Sequence, residues 1–306
     1  AFYAGILYAR AGAAVLTYDP TGEGERNSER KSGTREHDKV EPPQELARRL
    51  AGLMVTDVMQ AVSYLAARPE VDRTRIAAAG YSMGSFVVAL AGAVESRLRA
   101  SVLVGGGNLD GPDEYWDKSK PMCQGIPYRS LQPLGDRPAV IYSLHASRGP
   151  TLIFNGLEDD TVRIPENASS FFANLRRRTA ALAERTHAVF DVGFAPGAGH
   201  RPYFVTQPVA AWLDRRLDFP NWRESDIETM PVTHIGEWAQ REHVELDPLY
   251  ASEHREGGTR ALGNGVPGLS REHLSVFSEE EWRRQKHLLV HERWRELAKA
   301  RAGSAR

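Results

Sequence analysis

Ile76-Ala77-Ala78-Ala79-Gly80-Tyr81-Ser82-Met83-Gly84-Ser85 joins a short apolar run to a Gly-x-Ser-x-Gly turn, and a second apolar run, Phe86 to Ala93, follows at once. The order reads as strand, sharp turn and helix. Small residues at Gly80 and Gly84 suit a turn in which strand and helix approach too closely for side chains. Such a turn lifts the Ser82 hydroxyl clear of the sheet and sets it at the head of a helix. There the helix dipole and the Met83 N–H can stabilise a developing oxyanion. The bland alternative is a glycine-rich turn with Ser82 as a simple helix cap.

The flanking segments extend the pattern. Residues 1–11 read as a helix ending at Gly12, and Ala13 to Tyr18 as a buried strand running into the turn-rich loop Asp19 to Arg26. Glu45 to Ala67 carries Leu46, Leu50, Leu53, Met54, Val58, Val62 and Leu65 near helical spacing, and Pro69 stops it. Ala100 to Val104 is a further buried strand. The alternation of helix and strand predicts an α/β fold with a mostly parallel sheet. Residues 107–149 lose this rhythm and read as a lid or surface insertion, with a helix near Asp136 to Leu144 inside it.

The sheet resumes with Pro150 to Gly156, followed by a helix over Pro165 to Glu184, a strand over Ala188 to Val192 and a helix over Val209 to Leu217. The Arg176-Arg177-Arg178 run reads as a solvated helix face. After Pro220 the composition turns polar. Ser278 with Glu281 makes a capping box for a last helix carrying Trp282, Leu288, Leu289 and Trp294. The chain thus divides into a core over residues 1–220 and an extension over 221–306. That extension is expected to pack on the core or to form a homo-oligomer.

A serine hydroxyl needs a base within hydrogen-bond reach, and the base needs a carboxylate to fix its tautomer. Two strand ends offer them. Gly156-Leu157-Glu158-Asp159-Asp160-Thr161-Val162 follows one strand and carries three acids. Asp159 is favoured there, with Asp160 and Glu158 behind it. Phe194-Ala195-Pro196-Gly197-Ala198-Gly199-His200 follows the next strand, so His200 lies on a glycine-rich loop able to reach a neighbouring strand end. Of the ten histidines, His145 and His234 are the next to examine.

With Ser82, Asp159 and His200 in that order, the chain resembles the α/β-hydrolase superfamily over roughly residues 1–218. The Tyr18-Asp19-Pro20-Thr21-Gly22-Glu23-Gly24-Glu25-Arg26 loop is similar to that of acetyl xylan esterase-like and dienelactone-hydrolase-like members. The resemblance implies a serine esterase using a Ser82–His200–Asp159 triad, with the Met83 N–H in the oxyanion hole and no metal or organic cofactor. It implies a small-molecule or carbohydrate ester, with short acyl groups, as substrate. An acyltransferase or a serine peptidase on the same triad is the near alternative; a non-catalytic binding protein is the distant one. In this superfamily a strand and an oxyanion loop would precede the first helix. Position 1 is Ala within an apolar helical pattern, so further residues are expected upstream and localisation stays open.

Composition narrows the partners. The 306 residues are 41% hydrophobic, enough for a sizeable core. A formal net charge of −1 supplies no overall field for nucleic acid or an anionic membrane. Cys123 is the only cysteine, so no internal disulfide forms. No apolar run reaches the roughly 18 residues of a membrane span.

Overall fold

The computed structural model describes residues 2–23, 26–28, 45–106, 133, 137–200, 207–229, 243 and 277–304. Most of the 107–149 segment, His234 and Cys123 lie outside them.

Among the described residues four strands form one sheet: β1 (Ala77–Tyr81), β2 (Ala100–Val104), β3 (Thr151–Gly156) and β4 (Phe190–Ala195). Their spatial order is β1-β2-β3-β4, and every pair is parallel. Ala79 lies opposite Val102, Val102 opposite Leu152, and Leu152 opposite Asp191, so the four strands run in step. Parallel neighbours need crossovers. After α1 (Phe2–Arg10) and α2 (Glu45–Ala66), which precede β1, the helices α3 (Met83–Val94), α4 (Arg137–Arg148) and α5 (Ile164–Thr186) lie on the three crossovers, and α6 (Gln207–Leu217) and the short α7 (Glu224–Glu228) follow β4.

Side chains alternate across the sheet and divide the core in two. Leu103 and Ile153 point to Phe86, Val88 and Ala89 of α3, Ile141 and Tyr142 of α4, and Phe171, Phe172 and Leu175 of α5. Val102, Leu152 and Phe154 point the other way, to Val209, Trp212 and Leu213 of α6. The strands β2 and β3 are thus covered on both faces, which is why they read as unbroken apolar runs. On the α6 side Trp212 also donates its indole N–H to Asp191 at 2.7 Å. The Arg176 and Arg177 side chains on α5 are exposed, as expected of a solvated face, whereas Arg178 is half-buried with its Nε out of reach of water.

The segment 13–18 departs from the buried strand expected of it. Among the described residues no strand pairs with it, and Val15, Leu16 and Tyr18 are 42%, 38% and 44% exposed. An apolar β-prone run becomes a strand only when a neighbour takes up its backbone hydrogen bonds. The chain here is held instead at its ends. Ala13 packs with the Trp212 cluster, and Arg26 forms an ion pair with Asp57 of α2.

The C-terminal helix also differs from expectation. The capping box forms: the Glu281 N–H donates to Ser278 Oγ at 3.2 Å, and Ser278 Oγ donates to Glu281 Oε2 at 2.9 Å. Helix α8 (Glu279–Gln285) then passes through a 3₁₀ turn at Lys286–Leu288, and α9 (His291–Gly303) starts afresh after an extended Val290. Leu288 and Leu289 sit exposed in the break, so their apolar side chains do not share a buried stripe with Trp294.

The turn between β1 and α3 rests on Gly80. A Cβ there would meet the Gly84 carbonyl oxygen at 2.2 Å and its carbon at 2.4 Å, backbone that cannot step aside. A Cβ at Gly84 would meet nothing within 4 Å, so the steric demand expected at both glycines falls on the first alone. Gly80→Ala is expected to cost about 3 kcal/mol or more, a fall of roughly 10 °C in Tm. Gly84→Ala is expected to leave Tm unchanged or slightly raised, since alanine favours the helix. Thermal unfolding of the two variants checks this.

Between α3 and α4, His145 is 1% exposed, with its ring lying on the α-carbon of Gly92. The ring bonds the Ala89 backbone, while Nδ1 has no hydrogen-bond partner among the described residues. Burial disfavours the imidazolium and pushes the pKa from 6.5 down to about 4. The folded chain therefore binds this proton less readily than the unfolded chain. Stability from this group is complete above pH 6.5 and is lost as pH falls from 6.5 toward 4. The loss amounts to about 3 kcal/mol. His145→Gln is expected to flatten the fall of Tm between those pH values relative to the parent chain, as measured by thermal scans.

Candidate active site

The backbone of Ser82 has φ 50° and ψ −115°, a region that side chains rarely occupy. Such a conformation costs about 1–3 kcal/mol and persists only where its surroundings hold it. Here the Ser82 N–H donates to the Val104 carbonyl at 2.8 Å, and the Ser82 carbonyl accepts from Ser85 N at 2.9 Å and from Ser85 Oγ at 2.6 Å. The Ser82 side chain makes no cap bond to helix α3, which removes the simple-cap alternative. Its hydroxyl is turned to another partner.

That partner is His200. Ser82 Oγ lies 2.8 Å from His200 Nε2, and His200 Nδ1 lies 2.9 Å from Asp159 Oδ2 and 3.1 Å from Oδ1. A carboxylate accepts from Nδ1–H, which leaves Nε2 as the acceptor for the serine proton. Three side chains from three strand ends, with Asp159 and Ser82 lying 41 and 118 residues from His200 along the chain, thus meet in one line of hydrogen-bond contacts.

Burial separates the three neighbouring acids. Asp159 is 0% exposed, whereas Glu158 and Asp160 are exposed. Asp159 Oδ1 also accepts from the Thr161 N–H at 3.0 Å and the Val162 N–H at 3.2 Å. These bonds fix the carboxylate and satisfy its charge away from water. The loops carrying acid and base are stitched together by backbone: Leu157 N–H donates to the Ala195 carbonyl and Glu158 N–H to the Ala198 carbonyl, both at 3.0 Å. Gly156 makes that contact possible. A Cβ there would meet the Ala198 and Gly199 carbonyl oxygens at 2.1 Å.

Tyr81 completes the arrangement and is a residue that sequence reasoning passes over. Its hydroxyl donates to the His200 backbone carbonyl at 3.2 Å, and its ring lies 5.6 Å from the imidazole. It occupies the variable position of Gly-x-Ser-x-Gly, where nothing local announces a contact 119 residues away. Met83 opens helix α3, so its N–H belongs to the first turn, whose donors have no carbonyl a turn earlier within the helix. His145 is packed between α3 and α4 and is not part of that line of contacts. Among the described residues no group of three or more His, Cys, Asp or Glu side chains has the geometry of a metal site. No helix among them is long and apolar enough to cross a membrane.

No curated protein sequence matches this chain. Solved structures to which the chain is similar include a Porphyromonas gingivalis dipeptidyl peptidase 4, at 18% identity and a TM-score of 0.38 over 56% of this chain and 22% of that one. An acetyl xylan esterase 1 from Thermoanaerobacterium is similar at 21% identity and a TM-score of 0.36, over 54% of this chain and 52% of that one. A CE15 esterase from a marine bacterial metagenome is similar at 14% identity and a TM-score of 0.41, over 54% and 47%. The chain spans about a quarter of the length of the first of these and about half of the other two. Residues 6–222, well over half of the chain, match the model of the prolyl oligopeptidase family. The parallel sheet, the turn at Ser82 and this match agree, and the chain belongs to the prolyl oligopeptidase family and so to the serine hydrolases of the α/β-hydrolase fold.

Proposed function

We propose that the chain hydrolyses carboxylic esters with short acyl groups, on a small molecule or a carbohydrate, through an acyl-enzyme on Ser82. The observation that carries this reading is the 2.8 Å contact between Ser82 Oγ and His200 Nε2, backed by the buried Asp159. His200 Nε2 takes the Ser82 proton as Oγ bonds to the ester carbonyl carbon. The carbonyl oxygen becomes an oxyanion, and the Met83 N–H donates to it. The tetrahedral species collapses as the carbon–oxygen bond to the alcohol breaks and His200 gives its proton to the leaving oxygen. Water enters, His200 takes its proton, and the hydroxide attacks the acyl-enzyme. The acid leaves, and Ser82 recovers its proton. Throughout, Asp159 stays ionised and holds the imidazole in the tautomer with hydrogen on Nδ1.

Cleavage of peptides is the second reading, and the prolyl oligopeptidase family match favours it. The steps are the same, except that His200 protonates an amine. An acyltransferase would differ only in the last step, with an alcohol replacing water.

The test is turnover of p-nitrophenyl acetate and of peptide p-nitroanilides by the full chain, with labelling by a fluorophosphonate. Acetate release with the label on Ser82 supports the ester reading. Anilide cleavage at comparable kcat/KM moves the assignment to peptides. A shift of product to an acyl ester when an alcohol is added moves it to transfer. A folded chain that neither turns over nor takes the label overturns all three.

A further inference from the structure

The family match ends at residue 222, yet α9 (His291–Gly303) packs back onto the elements beside Ser82. It makes two separate attachments. The first is polar. The Glu292 carboxylate accepts from the Ser28 N–H at 3.2 Å and from Ser28 Oγ at 3.0 Å. Burial opposes ionisation of Glu292, but its backbone bond and the Ser28 bonds outweigh burial and hold its pKa below the ordinary value. Ser28 lies two residues beyond Arg26, which with Thr21 is fastened to Asp57 of α2. The bonds of Glu292 therefore tie α9 to a loop already tied to α2.

The second attachment is apolar. Leu50, Met54 and Val58 of α2 form a buried cluster with Val87 and Ala91 of α3, and both Trp294 and the Met83 side chain pack against that cluster. His291, which is buried, stacks on Trp294 with ring centroids 5.8 Å apart. The Met83 side chain thus rests on a cluster that α9 helps to cover, while the Met83 N–H stands at the site.

We propose that α9 is a strut that positions the Ser82–Met83 turn, with Trp294 as the positioning residue and the Glu292–Ser28 bonds as its anchor. In its kinetic consequence this rests on the reading of Ser82 as nucleophile and Met83 as oxyanion donor. The geometry accounts for a helix outside the family-matched region being fastened at both its polar and its apolar contacts. Packed clusters transmit displacement because their atoms have no free volume to absorb it. Removing the Trp294 indole leaves a cavity on the cluster, into which α2 and the Met83 side chain relax. An N–H aimed at an oxyanion then loses its aim, and small misplacements of this kind cost rate out of proportion to their size.

The experiment is hydrogen exchange on the full chain, comparing the parent with Trp294→Ala, Trp294→Phe and Glu292→Gln. Amides of Ser85 to Ala89, the first bonded turn of α3, are expected to exchange about tenfold faster in Trp294→Ala, with β3 and β4 unchanged. Trp294→Phe is expected to restore most of the protection. Glu292→Gln, at the periphery, is expected to give a smaller change of the same sign and serves if Trp294→Ala does not fold. Unchanged exchange at the turn in a folded variant overturns the strut.

Kinetics separate positioning from mere stability. Turnover per fluorophosphonate-titrated site is expected to fall about tenfold in Trp294→Ala with KM unchanged. A helix that only stabilises would lower the number of titratable sites and leave turnover per site intact, and that result also overturns the proposal. A parent chain with no Ser82-dependent turnover would sink the catalytic reading, and the exchange data would still decide the strut.

Discussion

Ser82→Ala is expected to lower kcat on p-nitrophenyl acetate by about 10⁴-fold or more, with KM changed little. The size follows from the role proposed for the hydroxyl. On that proposal no covalent intermediate forms without Oγ, and His200 and Asp159 lose the proton they are placed to move. These groups act as one unit, so removing the first removes the benefit of the other two. Residual turnover would come from binding and from the Met83 N–H acting on direct attack by water. The fold is expected to survive. Among the described residues the Ser82 Oγ bond is to His200 alone, while the backbone that fixes the turn is held through Val104 and Ser85. Alanine keeps the φ 50° backbone at a steric cost similar to that of serine, so Tm should change by only a few degrees. Fluorophosphonate labelling should vanish together with turnover. A Ser82→Ala variant that keeps even a tenth of the parent's kcat would show that another nucleophile is used.

The central part of this fold is legible because its strands obey a simple rule. Val102, Leu103, Leu152 and Ile153 are buried on both faces of a parallel sheet, so their segments are apolar throughout and need no alternation to be found. The convergence of Ser82, His200 and Asp159 is also readable, because each lies at the end of a strand or just beyond it and parallel strands bring such ends to one edge of the sheet. What escapes the sequence is whatever depends on a neighbour. Ala13 to Tyr18 has strand composition, yet a strand is a property of a pair, and its expected burial is not seen among the described residues. The glycines of the turn look alike in sequence, but only Gly80 faces backbone. Tyr81 reaches the His200 carbonyl by a fold-dependent approach that no local pattern encodes. In the same way the segment carrying Trp282, Leu288, Leu289 and Trp294 reads as one helix, while the chain breaks at Val290 and α9 brings Trp294 against the cluster of α2 and α3.

Among the three acids, Asp159→Asn is expected to lower kcat by about 10⁴-fold, and Asp160→Asn or Glu158→Gln by less than about threefold. The difference is one of hydrogen-bond polarity. A carboxylate at 159 accepts from Nδ1–H while its Oδ1 accepts from the Thr161 and Val162 N–H groups. An asparagine can keep its carbonyl oxygen toward those two backbone donors, since they demand an acceptor. Its amide nitrogen then faces His200 Nδ1 and donates to it. The imidazole must take the opposite tautomer, with hydrogen on Nε2, and can no longer accept the Ser82 proton. The shape of the site is preserved while its proton order is reversed, so Tm is expected to hold. Raising the pH should recover part of the activity only if hydroxide takes over deprotonation of the serine. The exposed carboxylates of Glu158 and Asp160 have no such contact with the imidazole, and water screens their charge from it. Steady-state turnover of the three variants from pH 6 to 9 (expected range of the assay, about three units) distinguishes the acids. Equal losses at 159 and 160 would mean that the relay is not confined to the buried carboxylate.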